Sequence, residues 1–203
     1  MKPIALDIET SGSDKVNCGI WQIGAYDMET GEEFLEEAKI DEEDILSFSG
    51  GKTSVEIFGR TEKELRDPNK QSQKQLLKNF FKWVEKRKMK NFLCQNPQFD
   101  VVFLEIQATK YGLKMPFHYR SFDLHTLAQE KYRELNGEFL VKEDHSDMNL
   151  TNILILCEME DNRGAHNGLE DAKLTAECFS RLTYGKNLFP EYAKYKIPKE
   201  LKK

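Results

Sequence analysis

The chain has 203 residues, a length that gives one ordinary domain with a substantial core and is short for two. We therefore expect a single domain over residues 1–203, with its core in about residues 1–185 and a lysine-rich tail at 186–203. The formal charge of −5 argues against a protein that coats nucleic acid nonspecifically, because that mode relies on many basic residues. The four cysteines are widely spaced and form no C-x-x-C pair, so neither a disulfide framework nor a structural zinc site is expected.

No apolar run approaches the roughly 20 residues that a membrane span requires. The N-terminal apolar stretch is interrupted at once by Asp7 and Glu9, whereas a signal peptide needs a longer apolar region and a cleavage site of small residues. We therefore expect a cytoplasmic protein that does not contact membranes.

The first half of the chain predicts three strands. In KPIALDIET, apolar residues alternate with Ala5, Asp7 and Glu9, which is the period-two pattern of a strand that places both acids on one face. IWQIGAYDM and EEFLEEAKI predict the second and third strands of an antiparallel meander, joined at the turn-forming pair Thr30-Gly31. Residues 47–72 follow no regular pattern, and we interpret them as a long, partly ordered insertion near the site.

The second half alternates helices with strands. Gln73–Met89 predicts an amphipathic helix, NFLCQN a short buried strand, and FDVVFLEIQATKYG a helix with Asp100 in its first turn. HYRSFD predicts a fifth strand that leads into a helix over 124–135, and NLTNILILCEM predicts a short helix. The last helix runs from Gly168 to about residue 183. This order predicts an α/β fold with a mixed five-stranded sheet, antiparallel in its first three strands.

The acidic pair Asp7 and Glu9 gains its significance from the strand around it. Among 35 acidic residues in 203 positions, about six acidic-x-acidic pairs would arise by chance, so the pair alone is a poor signal. Two ionised carboxylates on the buried face of a central strand would cost several kcal/mol unless a cation or hydrogen bonds compensate. A metal site is one explanation, and an edge strand whose acids face solvent is the other.

Two further aspartates stand at predicted helix starts. Asn167 and Glu170 form a plausible capping box, which gives Glu170 a local structural role that the adjacent Asp171 lacks. Asp171 also borders the apolar stripe of its helix, so we expect it at the edge of the core. Asp100 is less informative, because the helix dipole alone favours an aspartate in a first turn.

His166 precedes Asp171 by five positions, in the loop that leads into the last helix. The same spacing joins His118 to Asp123, but a strand between them would separate the two side chains by roughly 16 Å. His166 can reach a water held near Asp171 from its loop. Taken by itself, it is equally explained as a surface histidine.

Several segments, taken together and in order, resemble the DEDDh exonucleases, which include polymerase proofreading subunits, ribonuclease T and TREX-type enzymes. ALDIETSG is similar to the first motif of that family, NPQFDVVFLE to the second and AHNGLEDAKLTAECFSRL to the third. VEIFGRTEKEL resembles the family's substrate-side loop. The resemblance implies a ribonuclease H-like fold and 3′–5′ exonuclease activity with two divalent cations, Mg²⁺ or Mn²⁺.

The resemblance also assigns roles to individual residues. The expected metal ligands are Asp7, Glu9, Asp100 and Asp171. His166 would act as the general base, for which an ordinary pKa near 6.5 is suitable. The expected substrate-binding residues are Ile8, Thr10, Gly12, Phe58, Asn96 and Phe99, although core packing explains the two phenylalanines equally well.

The chain departs from the family pattern at two places. Gln95-Asn96 stands where the family usually has histidine followed by asparagine, and Phe58 stands where histidine is frequent. Both places border the terminal nucleotide in the relatives. Substrate preference is therefore less firmly indicated than the chemistry.

The expected partner is the single-stranded 3′ end of a nucleic acid, DNA before RNA, and a homodimer or an association with a polymerase is compatible with the family. Two alternatives remain, a binding module with little turnover and an endonuclease of the ribonuclease H type.

Lysines recur every fourth residue from Lys70 to Lys90, which indicates a solvated helix face or a phosphate-binding surface. Asp144, His145 and Asp147 form a further polar cluster, which a polar loop explains.

Overall fold

A mixed five-stranded sheet forms the centre of the computed structural model, which describes residues 1–46, 59–164 and 167–202. The strands, in the order β3-β2-β1-β4-β5, are β1 (Ile4–Thr10), β2 (Ile20–Asp27), β3 (Glu33–Glu37), β4 (Phe92–Cys94) and β5 (Phe122–Asp123). β1, β2 and β3 pair antiparallel, whereas β4 lies parallel to β1 and β5 lies parallel to β4. The predicted mixed sheet, with its antiparallel first three strands, is confirmed.

Helices cover both faces of this sheet. They are α1 (Glu62–Leu65), α2 (Gln73–Glu85), α3 (Pro97–Lys110), α4 (Leu124–Asn136), α5 (Leu150–Leu156) and α6 (Gly168–Tyr184), followed by 3₁₀ turns at Pro190–Tyr192 and Lys199–Leu201. α2 and α3 share one apolar core with β1, and α4, α5 and α6 share the other. None of the described helices is both long enough and apolar enough to cross a membrane.

The central position of β1 decides where its acidic side chains lie. Ile4, Leu6 and Ile8 are buried in the core that contains α2 and α3, and Ala5 is buried in the core that contains α6. Because side chains alternate along a strand, Asp7 and Glu9 lie on the same side as Ala5. β1 is paired with β2 on one edge and β4 on the other, so the alternative of a solvent-facing edge strand is excluded.

Part of the predicted irregular insertion is regular. Residues 59–72 contain α1, whose N-cap Thr61 and third residue Glu64 form the reciprocal hydrogen bonds of a capping box. The pattern Thr-x-x-Glu is the sequence signature of that cap, so a signal for the helix was present. The remainder of the insertion, including Phe58, lies outside the described residues.

The polar segment after α4 also differs from the prediction. Instead of a loop it forms a two-stranded hairpin, with β6 at Val141–Lys142 and β7 at His145–Ser146. His145 is exposed and lies beside Asp144, with 3.2 Å between Nδ1 and Oδ1. Strands of two residues are too short to show a period-two pattern in the sequence.

The segment expected to be a tail packs against α6 through a buried ion pair. Arg181 Nε donates to Glu177 Oε1 at 2.7 Å, and both side chains are 0% exposed. Glu177 also accepts from the backbone N–H groups of Leu188 and Phe189, and Arg181 donates to the backbone oxygen of Tyr192. The charges of this pair are thus satisfied by backbone groups that follow the helix in sequence.

Replacement of Gly24 by alanine should destabilise the fold strongly. Gly24 lies on β2 opposite Asp7, and a Cβ atom there would overlap the backbone of Gly168 and Leu169 at the start of α6. We expect the free energy of unfolding to fall by at least about 2 kcal/mol in urea titrations. Gly164→Ala is the matched control, since no described atom lies within 4 Å of its added Cβ. Equal losses in the two variants would contradict this account of the contact.

Candidate active site

Three carboxylates converge where β1 meets the N-terminus of α6. Asp7, Glu9 and Asp171 each offer an oxygen, and these oxygens lie within 4.8 Å of one another. α6 begins against β1 and β2, where the N–H of Gly168 donates to Gln22 Oε1 at 2.8 Å, and Asn167 caps the helix by accepting from the N–H groups of residues 169 and 170. Glu170, the neighbouring acid, is exposed, whereas Asp171 is buried. The burial of Asp171 agrees with its expected position at the edge of the core, but the expected capping box is incomplete: among the described residues, the Glu170 side chain does not accept from the N–H of Asn167.

Asp100 joins the cluster from a different part of the chain. It lies in the first turn of α3, which directly follows β4, and β4 pairs with β1. Its Oδ1 accepts a hydrogen bond of 3.1 Å from the backbone N–H of Ile8. This buried bond fixes Asp100 to β1 between Asp7 and Glu9. All four carboxylates line one cavity of about 550 Å³.

Burial makes three of these carboxylates, Asp7, Glu9 and Asp100, difficult to ionise. Burial raises the pKa of Glu9 to about 9, and the charges of Asp171 and Asp100 add to the effect. Burial, together with the charge of Asp100, holds the pKa of Asp7 well above its usual range. The pKa of Asp100 is raised to about 7 by burial, although the hydrogen bond from Ile8 opposes the shift. Four anions here require compensating positive charge.

The donor set fits a hard divalent cation. Glu9 Oε1 is buried and has no hydrogen-bond partner among the described residues, so an acceptor is directed into the site without a donor. Carboxylate oxygens are the ligands that Mg²⁺ and Mn²⁺ prefer. A cation at the converging oxygens of Asp7, Glu9 and Asp171 would satisfy that acceptor and favour the ionised forms.

Most of the expected substrate-binding residues that the structure describes lie at this cavity. Ile8, Thr10, Asn96 and Phe99 line it. The N–H of Ile8 is already donated to Asp100, so it is not available to a substrate. Gly12 does not line the cavity but accepts a hydrogen bond of 2.7 Å from Thr10 Oγ1, which fixes the turn after β1.

Phe99 lies both at the cavity and against the apolar core. Phe99 borders the cavity, and its ring also packs against Phe103 with 5.0 Å between ring centroids, so core packing is shown and the stacking role stays a prediction. Phe58 and His166 lie outside the described residues.

Arg163 is a residue of the site that the sequence did not single out. Its Nη1 lies 3.3 Å from Asp171 Oδ1, while its Nη2 donates to Asp161 Oδ2 at 2.7 Å and to Thr151 Oγ1 at 2.8 Å. The guanidinium therefore links α5, the following loop and α6 beside the carboxylates. In the sequence, Arg163 is distinguished only by its position in a polar loop, three residues before His166.

The chain matches a known protein family and is similar to several solved structures. The family model described as the 3′-5′ exoribonuclease Rv2179c-like domain matches residues 2–183. No curated protein sequence matches the chain. Among solved structures, the chain is similar to the nuclease domain of 3′hExo, described as a DEDDh family member bound to rAMP, at 17% identity and a TM-score of 0.62. The similarity covers 97% of this chain and 95% of that one.

Two further structures share the fold. Cell-death related nuclease 4 (CRN-4) is 16% identical with a TM-score of 0.64, over 88% of this chain and 62% of that one. Exonuclease I of E. coli in complex with a dT13 oligonucleotide is 20% identical with a TM-score of 0.62, over 88% of this chain and 41% of that one. This chain thus spans about four tenths of the exonuclease I chain. The expected ribonuclease H-like architecture is confirmed.

The raised pKa values predict how stability depends on pH without divalent cations. The folded-state pKa values of Glu9 (about 9) and Asp100 (about 7) exceed the unfolded values of about 4. Between these limits the folded protein holds more protons than the unfolded protein, so its stability falls as the pH rises. In EDTA, we expect the thermal midpoint to be lower at pH 8 than at pH 6, and excess Mn²⁺ to reverse the loss at pH 8.

Asp7→Asn provides the control for this prediction. The substitution replaces a carboxyl group that repels its neighbours when it ionises by a neutral amide, so it should raise the midpoint in EDTA at pH 8 and reduce the gain from Mn²⁺. Thermal unfolding of both proteins, with and without Mn²⁺, measures both effects. A wild-type midpoint in EDTA that rises from pH 6 to pH 8 would be incompatible with a repulsive carboxylate cluster.

Proposed function

Because the chain belongs to the family of 3′-5′ exoribonuclease Rv2179c-like domains, we propose that it removes 5′-mononucleotides from a single-stranded 3′ end with the aid of two divalent cations. The family membership confirms the expected 3′–5′ exonuclease. The observation that carries the finer proposal is the convergence of Asp7, Glu9 and Asp171 within 4.8 Å, with Asp100 beside them. The match spans nearly the whole chain, which supports the proposal of a single exonuclease domain.

The carboxylates would divide two cation sites between them. Divalent cations supply charge neutralisation for the phosphodiester and an activated water. Oxygens of Glu9 and Asp171 lie within 4.8 Å of an oxygen of Asp7, so Asp7 is the candidate to bridge the two cation sites. Glu9 and Asp171 would complete one of these sites. Asp100 would support the other through the oxygen that does not accept from Ile8. Mg²⁺ and Mn²⁺ both suit these oxygen ligands.

His166 would accept the proton from the attacking water. It directly precedes the helix cap Asn167 and stands five residues before Asp171, the spacing of the DEDDh motif. An imidazole with an ordinary pKa is half-protonated near neutral pH and can accept and release a proton there.

The terminal nucleotide would occupy the cavity beside the carboxylates. The cavity of about 550 Å³ lies in the size range of small-ligand sites. Phe99 offers a ring face on which a base can stack without regard to sequence. The family description names an exoribonuclease, which supports RNA as the preferred substrate over the DNA expected from the sequence.

Neighbouring acids on α6 provide a matched test of the metal ligands. Asp171→Asn should lower the rate of mononucleotide release from a 5′-labelled RNA strand in Mn²⁺ by more than the roughly 100-fold typical of an outer-shell partner. Glu170→Gln changes the same charge one residue away, at an exposed position, and should retain activity within about threefold of wild type. Similar losses in both variants would remove the distinction on which the site rests.

Substrate class requires a side-by-side digestion. We expect mononucleotides from single-stranded RNA with a free 3′ end, slower release from matched DNA, and none from 3′-phosphorylated or circular strands. The 2′-hydroxyl is the group by which a protein distinguishes the two polymers. Faster digestion of DNA would restore the expectation from the sequence, and cleavage of a circle would indicate an endonuclease. Binding without release by wild type would favour the binding module.

A further inference from the structure

Basic residues are concentrated in one part of the chain, at helix α2 and the residues beside it. Residues 70–90 contain eight lysines and arginines but a single acid, Glu85, so this segment carries a charge of +7. Because the whole chain carries −5, the remaining residues carry −12. A charge separation of this size within one domain is typical of proteins that bind a polyanion at a defined surface.

Most of these basic side chains have no counter-ion in the part of the chain that the structure describes. Lys70 Nζ lies 2.6 Å from Glu37 Oε2, and Arg87 pairs with Asp27 and Glu32. The chain has 35 acids for 30 lysines and arginines, so a shortage of acids does not explain why the others are left unpaired. Six lysines form no ion pair with a described carboxylate, namely Lys74, Lys78, Lys82, Lys86, Lys88 and Lys90.

Helix α2 arranges three of the six in a row. Its apolar face is buried in the core beside β1, and the opposite face carries Lys74, Lys78 and Lys82, all exposed. With a rise of about 1.5 Å per residue, successive lysines stand about 6 Å apart along the helix axis. We call these three residues the lysine face. The only acid of α2 is Glu85, its last residue, so the row is not interrupted by negative charge.

The active-site cavity offers a polyanion little attraction of its own. Arg163 is the only basic residue in its described lining, and its guanidinium is already bound to Asp161 and Asp171. The carboxylates in the same cavity repel phosphates when they are ionised and no cation is bound. Affinity for nucleic acid comes largely from lysines and arginines that neutralise phosphates. A strand therefore has to find most of that charge outside the cavity.

The lysine face begins at the end of the sheet where the carboxylates lie. Gln73, the first residue of α2, accepts from the N–H of Ile20 at 2.7 Å, and Ile20 pairs with Thr10, which lines the cavity. Beyond the other end of α2, Arg87 pairs with Asp27 at the end of β2. The helix thus runs from the carboxylate end of the sheet to the opposite end. None of its lysines lines the cavity, so the lysine face is separate from the active site.

We propose that the lysine face binds backbone phosphates of an RNA substrate, upstream of the nucleotides that occupy the active site. The proposal rests on the proposed function, which supplies the strand and places its 3′ end at the carboxylates. Lysine contacts to phosphates carry no sequence information, as suits an enzyme that shortens a strand of any sequence.

The composition of the helix favours nucleic acid over an anionic membrane. Every exposed position of α2 carries lysine, glutamine or glutamate. A helix that binds a membrane surface inserts large apolar side chains at the boundary of the headgroups, but the apolar side chains of α2 are packed in the protein core.

The test measures how binding of RNA depends on salt. Fluorescence polarisation of a labelled oligouridylate of about 20 nucleotides, in EDTA to withhold divalent cations, gives the dissociation constant between about 50 and 200 mM KCl. Lys78→Gln/Lys82→Gln should reduce the slope of log affinity against log salt by about 1.4, because each phosphate contact on a single strand contributes about 0.7. Lys78→Arg/Lys82→Arg keeps both charges and should keep the slope.

The matched control is Lys196→Gln/Lys199→Gln. It makes the same change in net charge at two exposed lysines of the C-terminal segment and should leave the slope at the wild-type value. An unchanged slope in Lys78→Gln/Lys82→Gln would overturn the proposal. Equal reductions in the two glutamine variants would also overturn it, because net charge and not a surface would then be the cause.

Two further measurements identify the partner and separate the two proposals. If phosphatidylserine vesicles bind wild type but not Lys78→Gln/Lys82→Gln, while the slope for RNA is unchanged, the face belongs to a membrane and the proposal is wrong. Mononucleotide release by wild type in Mn²⁺ tests the exonuclease independently of the slope. Without release but with the expected loss of slope, the exonuclease proposal fails and the RNA-binding face stands. With release and an unchanged slope, only the lysine face fails.

Discussion

Four carboxylates, of which three are buried and Asp7 is half-buried, repel one another when ionised beside the central strand, and the rest of the architecture serves to hold them there. Asp7 and Glu9 come from β1, Asp100 from the start of α3, and Asp171 from the start of α6. Three separate parts of the chain must pack correctly before the acids meet. Isolation from water raises the pKa values of Asp7, Glu9 and Asp100, so ionising them in the apoprotein carries an internal cost that protonation or added positive charge offsets. Such stored unfavourable energy is typical of functional sites.

The sequence predicted those parts of the site that depend on local patterns. Alternation around Asp7 and Glu9 placed both acids on one face of a central strand, and the cap at Asn167 separated Asp171 from its neighbour. Arg163 was missed because its contacts with Thr151 and Asp171 depend on how α5, the loop and α6 pack together, which no periodic sequence pattern encodes. The hairpin at 141–146 was missed because its strands are too short for periodicity. Helix α1 was missed although its capping box was present in the sequence.

One of the two departures from the DEDDh pattern, Gln95-Asn96, lies beside the carboxylates. Gln95 and Asn96 stand in place of the usual histidine–asparagine pair, and both line the cavity that contains the carboxylates. Gln95 Nε2 donates to the backbone oxygen of Met148 at 3.0 Å, so this amide connects the end of β4 to the segment that precedes α5. The chemistry of the carboxylates is thus separate from the residues that shape the cleft around them. A family can vary its substrates at such positions while it keeps its reaction.

The ion pair of Glu177 with Arg181 bears on the order in which the protein is made. Its backbone partners at Leu188, Phe189 and Tyr192 are synthesised after α6 is complete. A nascent chain that stopped near Gly185 would have to bury a charged pair without those partners, at a cost of several kcal/mol. Helix α6, which carries Asp171, would therefore dock firmly only after these last segments had left the ribosome. Asp171 would then reach Asp7 and Glu9 only late in synthesis.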